Sequence, residues 1–172
     1  LAQVDEILSQ PVGEALVNLD GDRDAIWYRE TNLANLVTDS MRAKTGAEIA
    51  VQNAGGFRAG IAAGPITYRD ILTVLPFGDR LVLLDMTGEQ VMEVLSYAAT
   101  VKPGAGTFLH ASGLTWTNNK GIAEQVMING APIDIERMYK VTTSDFLARG
   151  GDRYTMFTDA PQYDLGFTLA SG

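Results

Sequence analysis

A short apolar run, Glu48 to Val51, opens into Asn53-Ala54-Gly55-Gly56-Phe57-Arg58, and this junction constrains the chain more than any other stretch. A buried strand ending in glycines puts bare backbone N–H groups at a strand end, where a ligand can approach closely. Arg58 lies in the same loop. Thr67-Tyr68-Arg69-Asp70 then has the Thr-x-x-Asp spacing of a capped helix start, which predicts a short helix through Val74. That helix delivers the chain to Pro76-Phe77-Gly78, where a ring sits between a residue that fixes the backbone and one that frees it. The glycine loop and the ring-bearing turn are therefore expected to lie close together.

The flanking sequence supplies the scaffold. Val4–Ser9 and Pro11–Leu19 alternate apolar and polar residues and read as two short strands, followed by a turn at Asp20-Gly21-Asp22. Arg23–Glu30 reads as a loop or a short extended piece leading to a helix capped near Thr31 or Asn32, with Leu33, Leu36, Val37 and Met41 on one face. Lys44-Thr45-Gly46 ends it. Arg80–Met86 reads as a strand, Thr87 as an N-cap, and Val91, Val94, Leu95, Ala98 and Ala99 as the buried stripe of the next helix. After a loop at 102–106, Leu109–Thr117 and Ala123–Ile128 read as strands joined by a hairpin at Asn118-Asn119-Lys120-Gly121, with a further turn at Asn129-Gly130. Tyr139–Ser144 is another strand, and Asp145–Arg149 a helical turn before a second glycine loop, Gly150-Gly151-Asp152. Strands and helices are interspersed without strict βαβ alternation, which predicts a mixed α+β fold.

Composition narrows the function. The 172 residues suit one domain spanning 1–172. A net charge of −8 argues against a nucleic-acid polymer as partner, since that binding runs on clustered Lys and Arg. No apolar run approaches the roughly 18 residues of a membrane span. The absence of cysteine fits an exported protein but also occurs in cytosolic domains. One histidine, His110, lies in an apolar strand and reads as structural, so metal-activated hydrolysis within this chain is not expected. There is no Gly-x-Ser-x-Gly turn and no Walker loop. What remains is binding. Phe77 and Phe146, both on glycine-flanked turns, have two readings, as core residues or as two faces that sandwich a planar base. Arg29 likewise reads either as a surface charge paired with a neighbour such as Glu30 or as a ligand contact at the mouth of a helix.

Four separated motifs carry a resemblance. Arg29-Glu30-Thr31-Asn32-Leu33-Ala34-Asn35-Leu36-Val37-Thr38-Asp39, Asn53-Ala54-Gly55-Gly56-Phe57-Arg58, Leu75-Pro76-Phe77-Gly78 and Ser144-Asp145-Phe146-Leu147-Ala148-Arg149-Gly150-Gly151-Asp152 occur in the order found in the C-terminal domain of the 5'-nucleotidases and UDP-sugar hydrolases. The chain resembles that domain over nearly its whole length. The resemblance implies a four-layer α/β/β/α arrangement of mixed sheets with helices outside, and a chain that begins inside a longer precursor. It implies a substrate-binding domain without catalytic residues or metal of its own, serving an N-terminal metallophosphoesterase domain that carries two divalent ions such as Zn or Mn. The partner is then a small-molecule nucleotide and the setting periplasmic or extracellular.

Carried across by residue, the resemblance implies that Phe77 and Phe146 clamp the base and that Asp152 accepts from the ribose hydroxyls. It gives Arg29 and Arg58 to the phosphate or ribose side, Asn53 to an amide contact, and Asp79 and Gly106 to the base edge. Three positions depart from the family pattern: Ala54 interrupts a usual run of three glycines, Asp79 stands where asparagine is frequent, and Arg153 stands where glycine is common. A free-standing nucleotide- or sugar-binding module is the alternative. So is a relative acting on UDP-sugars, cyclic nucleotides, NAD or a sulfur substrate.

Overall fold

The computed structural model describes residues 2–171, with side chains from residue 4 onward. Its centre is a mixed five-stranded sheet built from β2 (Ile49–Asn53), β4 (Arg80–Thr87), β5 (Leu109–Ser112), β9 (Met138–Ser144) and β10 (Gln162–Thr168), in the order β10-β4-β9-β2-β5. β2 and β9 run parallel, and every other neighbour pair in the sheet is antiparallel. A three-stranded sheet holds β6 (Leu114–Asn119), β7 (Ile122–Ile128) and β8 (Ala131–Pro132), and β1 (Pro11–Ala15) pairs with β3 (Gly64–Thr67). The expected mixed-sheet α+β architecture is what forms.

Alternation along β2 and β4 sorts the two faces of the central sheet. Ile49, Val51, Val82, Leu84 and Met86 meet the stripe Val91, Val94, Leu95, Ala98 and Ala99 of α5 (Gly88–Thr100), and Ala123, Val126 and Ile128 of β7 close the same core. Ala50 and Leu81 point the other way, onto Met41 of α3 (Asn32–Thr45). The two long helices therefore cover opposite faces, and the three-stranded sheet joins the side of α5. Side chains as large as Leu84 and Leu95, fully buried here, each contribute about 1.5–3 kcal/mol.

Local chemistry sets the helix starts. Thr31 caps α3, and Thr67 with Asp70 and Thr87 with Gln90 form complete capping boxes at the heads of α4 (Tyr68–Val74) and α5. The hairpin between β6 and β7 turns on Lys120 (φ 52°) and Gly121 (φ 90°), and the next turns on Asn129 (φ 49°) and Gly130 (φ 82°). Two consecutive positive φ values are what a tight hairpin of the right twist requires.

Several segments differ from their sequence reading. Val4–Ser9 is not a strand: α1 (Ala2–Leu8) occupies it, because Val4, Ile7 and Leu8 also satisfy the i, i+3, i+4 spacing that a six-residue window does not separate from alternation. Arg23–Ile26 forms a one-turn helix, α2, that buries Ile26 completely. The strand expected over Leu109–Thr117 is broken at Gly113 (φ 82°), where the chain leaves the five-stranded sheet for the three-stranded one. β10 was not anticipated, although Tyr163, Leu165 and Phe167 alternate with Asp164 and Gly166; it pairs with the edge of β4 and is largely exposed.

His110 is structural, as its setting in the sequence implied. It is 3% exposed on β5, its Nε2 donates to the Ile26 carbonyl at 2.8 Å, and the rings of Phe57 and Phe108 meet it edge-on. Burial, outweighing the Ile26 carbonyl, holds its pKa below the ordinary 6.5. In the window below 6.5 the unfolded chain therefore binds a proton that the folded chain does not. Stability is expected to be full above that value and to fall as pH drops through it. His110→Gln should flatten this slope in urea melts taken between pH 7 and 5.5; a slope unchanged in the variant would contradict the assignment.

Candidate functional site

Strand directions bring four loops to one end of the central sheet. Because β2 and β9 are parallel, the segments after Asn53 and after Ser144 leave from the same end. β4 is antiparallel to β9, with Leu81 opposite Ser144, so the turn that precedes β4 lies there too. β5 is antiparallel to β2, with Asn53 opposite Leu109, which adds the loop at 106–107. Residues distant in sequence thus line a single cleft of about 520 Å³, a size suited to a small molecule.

Its walls hold Trp27, Asn53, Gly55, Gly56, Arg58, Phe77, Asp79, Gly106, Thr107, Phe146 and Asp152. Seven of the eight residues singled out from the sequence are among them. The eighth, Arg29, is not: its guanidinium pairs with Asp20 at 3.2 Å, and its side chain is 64% exposed. This is the surface pairing of the simpler reading, with Asp20 as partner in place of Glu30. Gly55 and Gly56 belong to the glycine loop expected beside a ligand, whereas Trp27 and Thr107 were not anticipated. Trp27 sits in a charged stretch without a period, and only the close approach of the loop at Gly104, whose N–H donates to the Trp27 carbonyl at 2.8 Å, carries it to the cleft.

Phe77 and Phe146 are not core residues. They are 59% and 41% exposed, against 2% for Phe57 and complete burial for Phe157. Phe77 rides on the turn before β4, with Gly78 at φ 67°. Phe146 sits in the single turn α6 (Asp145–Ala148), capped by Ser144. Gly151 packs directly beneath that ring: a Cβ there would lie 2.5 Å from the Phe146 carbonyl oxygen and 2.7 Å from two ring carbons. Only glycine at position 151 leaves the ring where it is.

Asp152 is held from two sides. Its Oδ2 accepts from Asn53 Nδ2 at 2.8 Å, and its carbonyl accepts from the Tyr97 hydroxyl at 3.0 Å. The hydrogen bonds retain a backbone in the left-handed region, φ 52°, which costs a non-glycine residue about 1 kcal/mol. Arg153 follows at φ 67°, the conformation for which a glycine would be the natural choice. Fixing the carboxylate in this way leaves Oδ1 available to accept from a ligand.

Arg58 is the cation of the cleft. It is exposed, makes no ion pair among the described residues, and its guanidinium carbon lies 5.8 Å from the centroid of the Phe77 ring. Asp79, on the same turn as Phe77, lines the same cleft. Burial first, and the nearby Asp145 second, raise the pKa of Asp79, opposed by Arg149. Gly55 N–H donates to the Gly106 carbonyl at 2.7 Å, tying the glycine loop to the 106–107 loop. The arrangement offers two accessible aromatic faces, one forked cation, and two carboxylates in different electrostatic settings. Among the described residues no group of three or more His, Asp or Glu side chains is arranged to hold a metal ion, and no helix is long and apolar enough to cross a membrane.

Known proteins resemble this chain. Protein UshA of Escherichia coli (strain K12) is 35% identical over 161 residues, covering 93% of this chain and 29% of UshA. The trifunctional nucleotide phosphoesterase protein YfkN of Bacillus subtilis (strain 168) is 38% identical over 181 residues, covering 96% of this chain and 12% of YfkN. The crystal structure of a 5'-nucleotidase precursor from Thermus thermophilus superposes with a TM-score of 0.90 at 36% identity, over 99% of this chain and 36% of that one. The chain spans less than a third of the length of either curated relative. Residues 11–159, which carry β1, every loop of the cleft and the strands that bring those loops together, match the family described as 5'-nucleotidase, C-terminal domain, and it is to this family that the chain belongs.

Proposed function

We propose that the chain is the nucleotide-recognition domain of a two-metal phosphohydrolase that releases phosphate from a nucleoside 5'-monophosphate or a related nucleotide. The observation that carries this reading is the convergence of Phe77, Phe146, Arg58 and Asp152 on one cleft. A base stacks between the two rings, each face contributing about 1–3 kcal/mol, and stacking accepts any base. Asp152 accepts from the ribose hydroxyls through the oxygen that Asn53 leaves free. Arg58 directs the phosphate end outward, its planar fork suited to phosphate oxygens. Asp79 and the backbone at Gly106 meet the base edge, where a carboxylate favours an amino group. Among the described residues Arg29 is tethered by one exposed pair, worth about 0–1 kcal/mol, so it swings to the phosphate when a ligand arrives.

Hydrolysis belongs to a catalytic domain elsewhere in the full-length protein, in a periplasmic or extracellular setting, where two divalent ions supply an activated water and stabilise charge on the phosphoryl group. This chain's task is to hold the nucleoside and turn the phosphate toward that domain. Calorimetric titration with adenosine, AMP and UMP tests the reading. Weak binding of all three is expected, with no phosphate released from AMP by this chain alone. Binding of none of them, or phosphate release by the chain alone, would contradict it.

A further inference from the structure

Gln52, the residue before Asn53 on β2, is completely buried, yet its Oε1 has no hydrogen-bond partner among the described residues. Leaving such an acceptor dry is destabilising, so its retention in the core calls for a cause. The orientation is dictated from the cleft inward. A carboxylate only accepts, so Asn53 turns its amide NH2 to Asp152 and exposes its Oδ1. That oxygen needs a donor, so Gln52 turns its own NH2 to it, at 3.2 Å. Its Oε1 is then left over at the inner end of the relay. Gly56 makes room for this amide, since a Cβ there would lie 2.4 Å from Gln52 Nε2.

Beside the relay lies a recess of about 10 Å³, lined by Gln52, Gly56, Leu75, Phe77, Asp79 and Leu169. Its volume is about that of one water, and two of its lining residues, Gln52 and Asp79, carry acceptor groups. One water has a proton to donate to each.

We propose that Gln52 is a positioning residue for nucleoside recognition: its amide fixes Asn53 and through it Asp152, and one water between its Oε1 and Asp79 couples that carboxylate to the turn carrying Phe77 on the other side of the cleft. The inference rests on the nucleotide reading of the cleft. Gln52 touches no ligand itself; it lines the recess and not the cleft. Its effect is therefore on how well Asp152 is aimed at ribose hydroxyls.

Gln52→Met keeps the length of the side chain and removes both polar atoms. In calorimetric titrations of the 172-residue chain, the variant is expected to bind adenosine about tenfold more weakly, the scale of one hydrogen bond to a charged group. Affinity for 2',3'-dideoxyadenosine, which offers Asp152 no hydroxyl, should not change. The melting temperature should change little, because the acceptor removed with Gln52 is offset by the donor that the buried Asn53 Oδ1 loses. A purely structural glutamine would give the reverse pattern, with lower melting temperature and equal losses on both ligands, and that result would overturn the inference. Unchanged adenosine affinity in the variant would overturn it while leaving the nucleotide reading intact. Absence of adenosine binding by the unaltered chain would overturn both. As a check independent of substitution, the Gln52 side-chain NH2 signals of the unaltered chain should exchange slowly with solvent and shift when adenosine binds. Signals that stay fixed at saturation would likewise overturn the proposal.

Discussion

Alanine at both Phe77 and Phe146 is expected to weaken adenosine binding by about a hundredfold or more, at about 1–3 kcal/mol for each stacked face, while leaving the melting temperature nearly unchanged. The separation of the two effects follows from exposure. With 59% and 41% of their surface in solvent, the rings bury far less than a core phenylalanine, and replacements at surface positions usually move stability by less than about 0.5 kcal/mol. Each single variant should lose about tenfold, since one face of the base remains covered. Phe57→Ala is the contrasting control: at 2% exposure inside the core, its loss should cost about 3–5 kcal/mol of stability. If the double variant bound adenosine as well as the unaltered chain, the rings would have no part in recognition. If it lost affinity only in step with its melting temperature, they would be structural.

Gly113→Ala should be the more damaging change to the fold. The residue sits at the break between β5 and β6 with φ 82°, and a Cβ there would lie 1.9 Å from the Glu48 carbonyl oxygen. The clash is with backbone, which cannot swing aside as a side-chain tip can. Arg42 closes the other side, with its Nε 2.7 Å from the same position while its Nη1 donates to the Ser112 hydroxyl at 3.2 Å. Left-handed strain and forced displacement together are expected to cost about 3 kcal/mol or more. For a chain of this length that is a fall of about 10 °C in thermal melts. Adenosine affinity of the fraction that remains folded should survive, because the break lies at the end of β5 away from the cleft. A melting temperature unmoved by the substitution would show that the crossing between sheets tolerates a side chain.

The contrast between these two experiments reflects which features a sequence can express. Thr31, Thr67 and Thr87 announce their helices because a cap is settled within four residues. The Val91 to Ala99 stripe is equally plain because its period runs over a long window. α1 reads wrongly as a strand because Val4, Ile7 and Leu8 fit two periods, and β10 escapes notice although Tyr163, Leu165 and Phe167 alternate with Asp164 and Gly166. Gly113 is an ordinary glycine until the Glu48 carbonyl stands beside it.

The same division runs through the cleft. Phe77, Phe146 and the glycine loop are legible because odd residues on turns mark a site, and the family resemblance orders them. Trp27 reaches the cleft through a contact with Gly104, seventy-seven positions away in the chain (104 − 27 = 77), and Arg29 takes Asp20 as its partner, a choice that no local pattern specifies even though the turn at Asp20 is legible. Gln52 reads as one polar residue in an apolar strand; its relay to Asp152 spans 100 positions (152 − 52) and exists only in three dimensions.

The most direct test is a set of intermolecular proton Overhauser contacts between bound adenosine and this chain. Contacts from the adenine H2 and H8 protons to the ring protons of both Phe77 and Phe146, with ribose protons near Asp152, are the predicted result. Adenosine contacting neither ring, or bound beside only one with its ribose directed away from Asp152, would contradict the account.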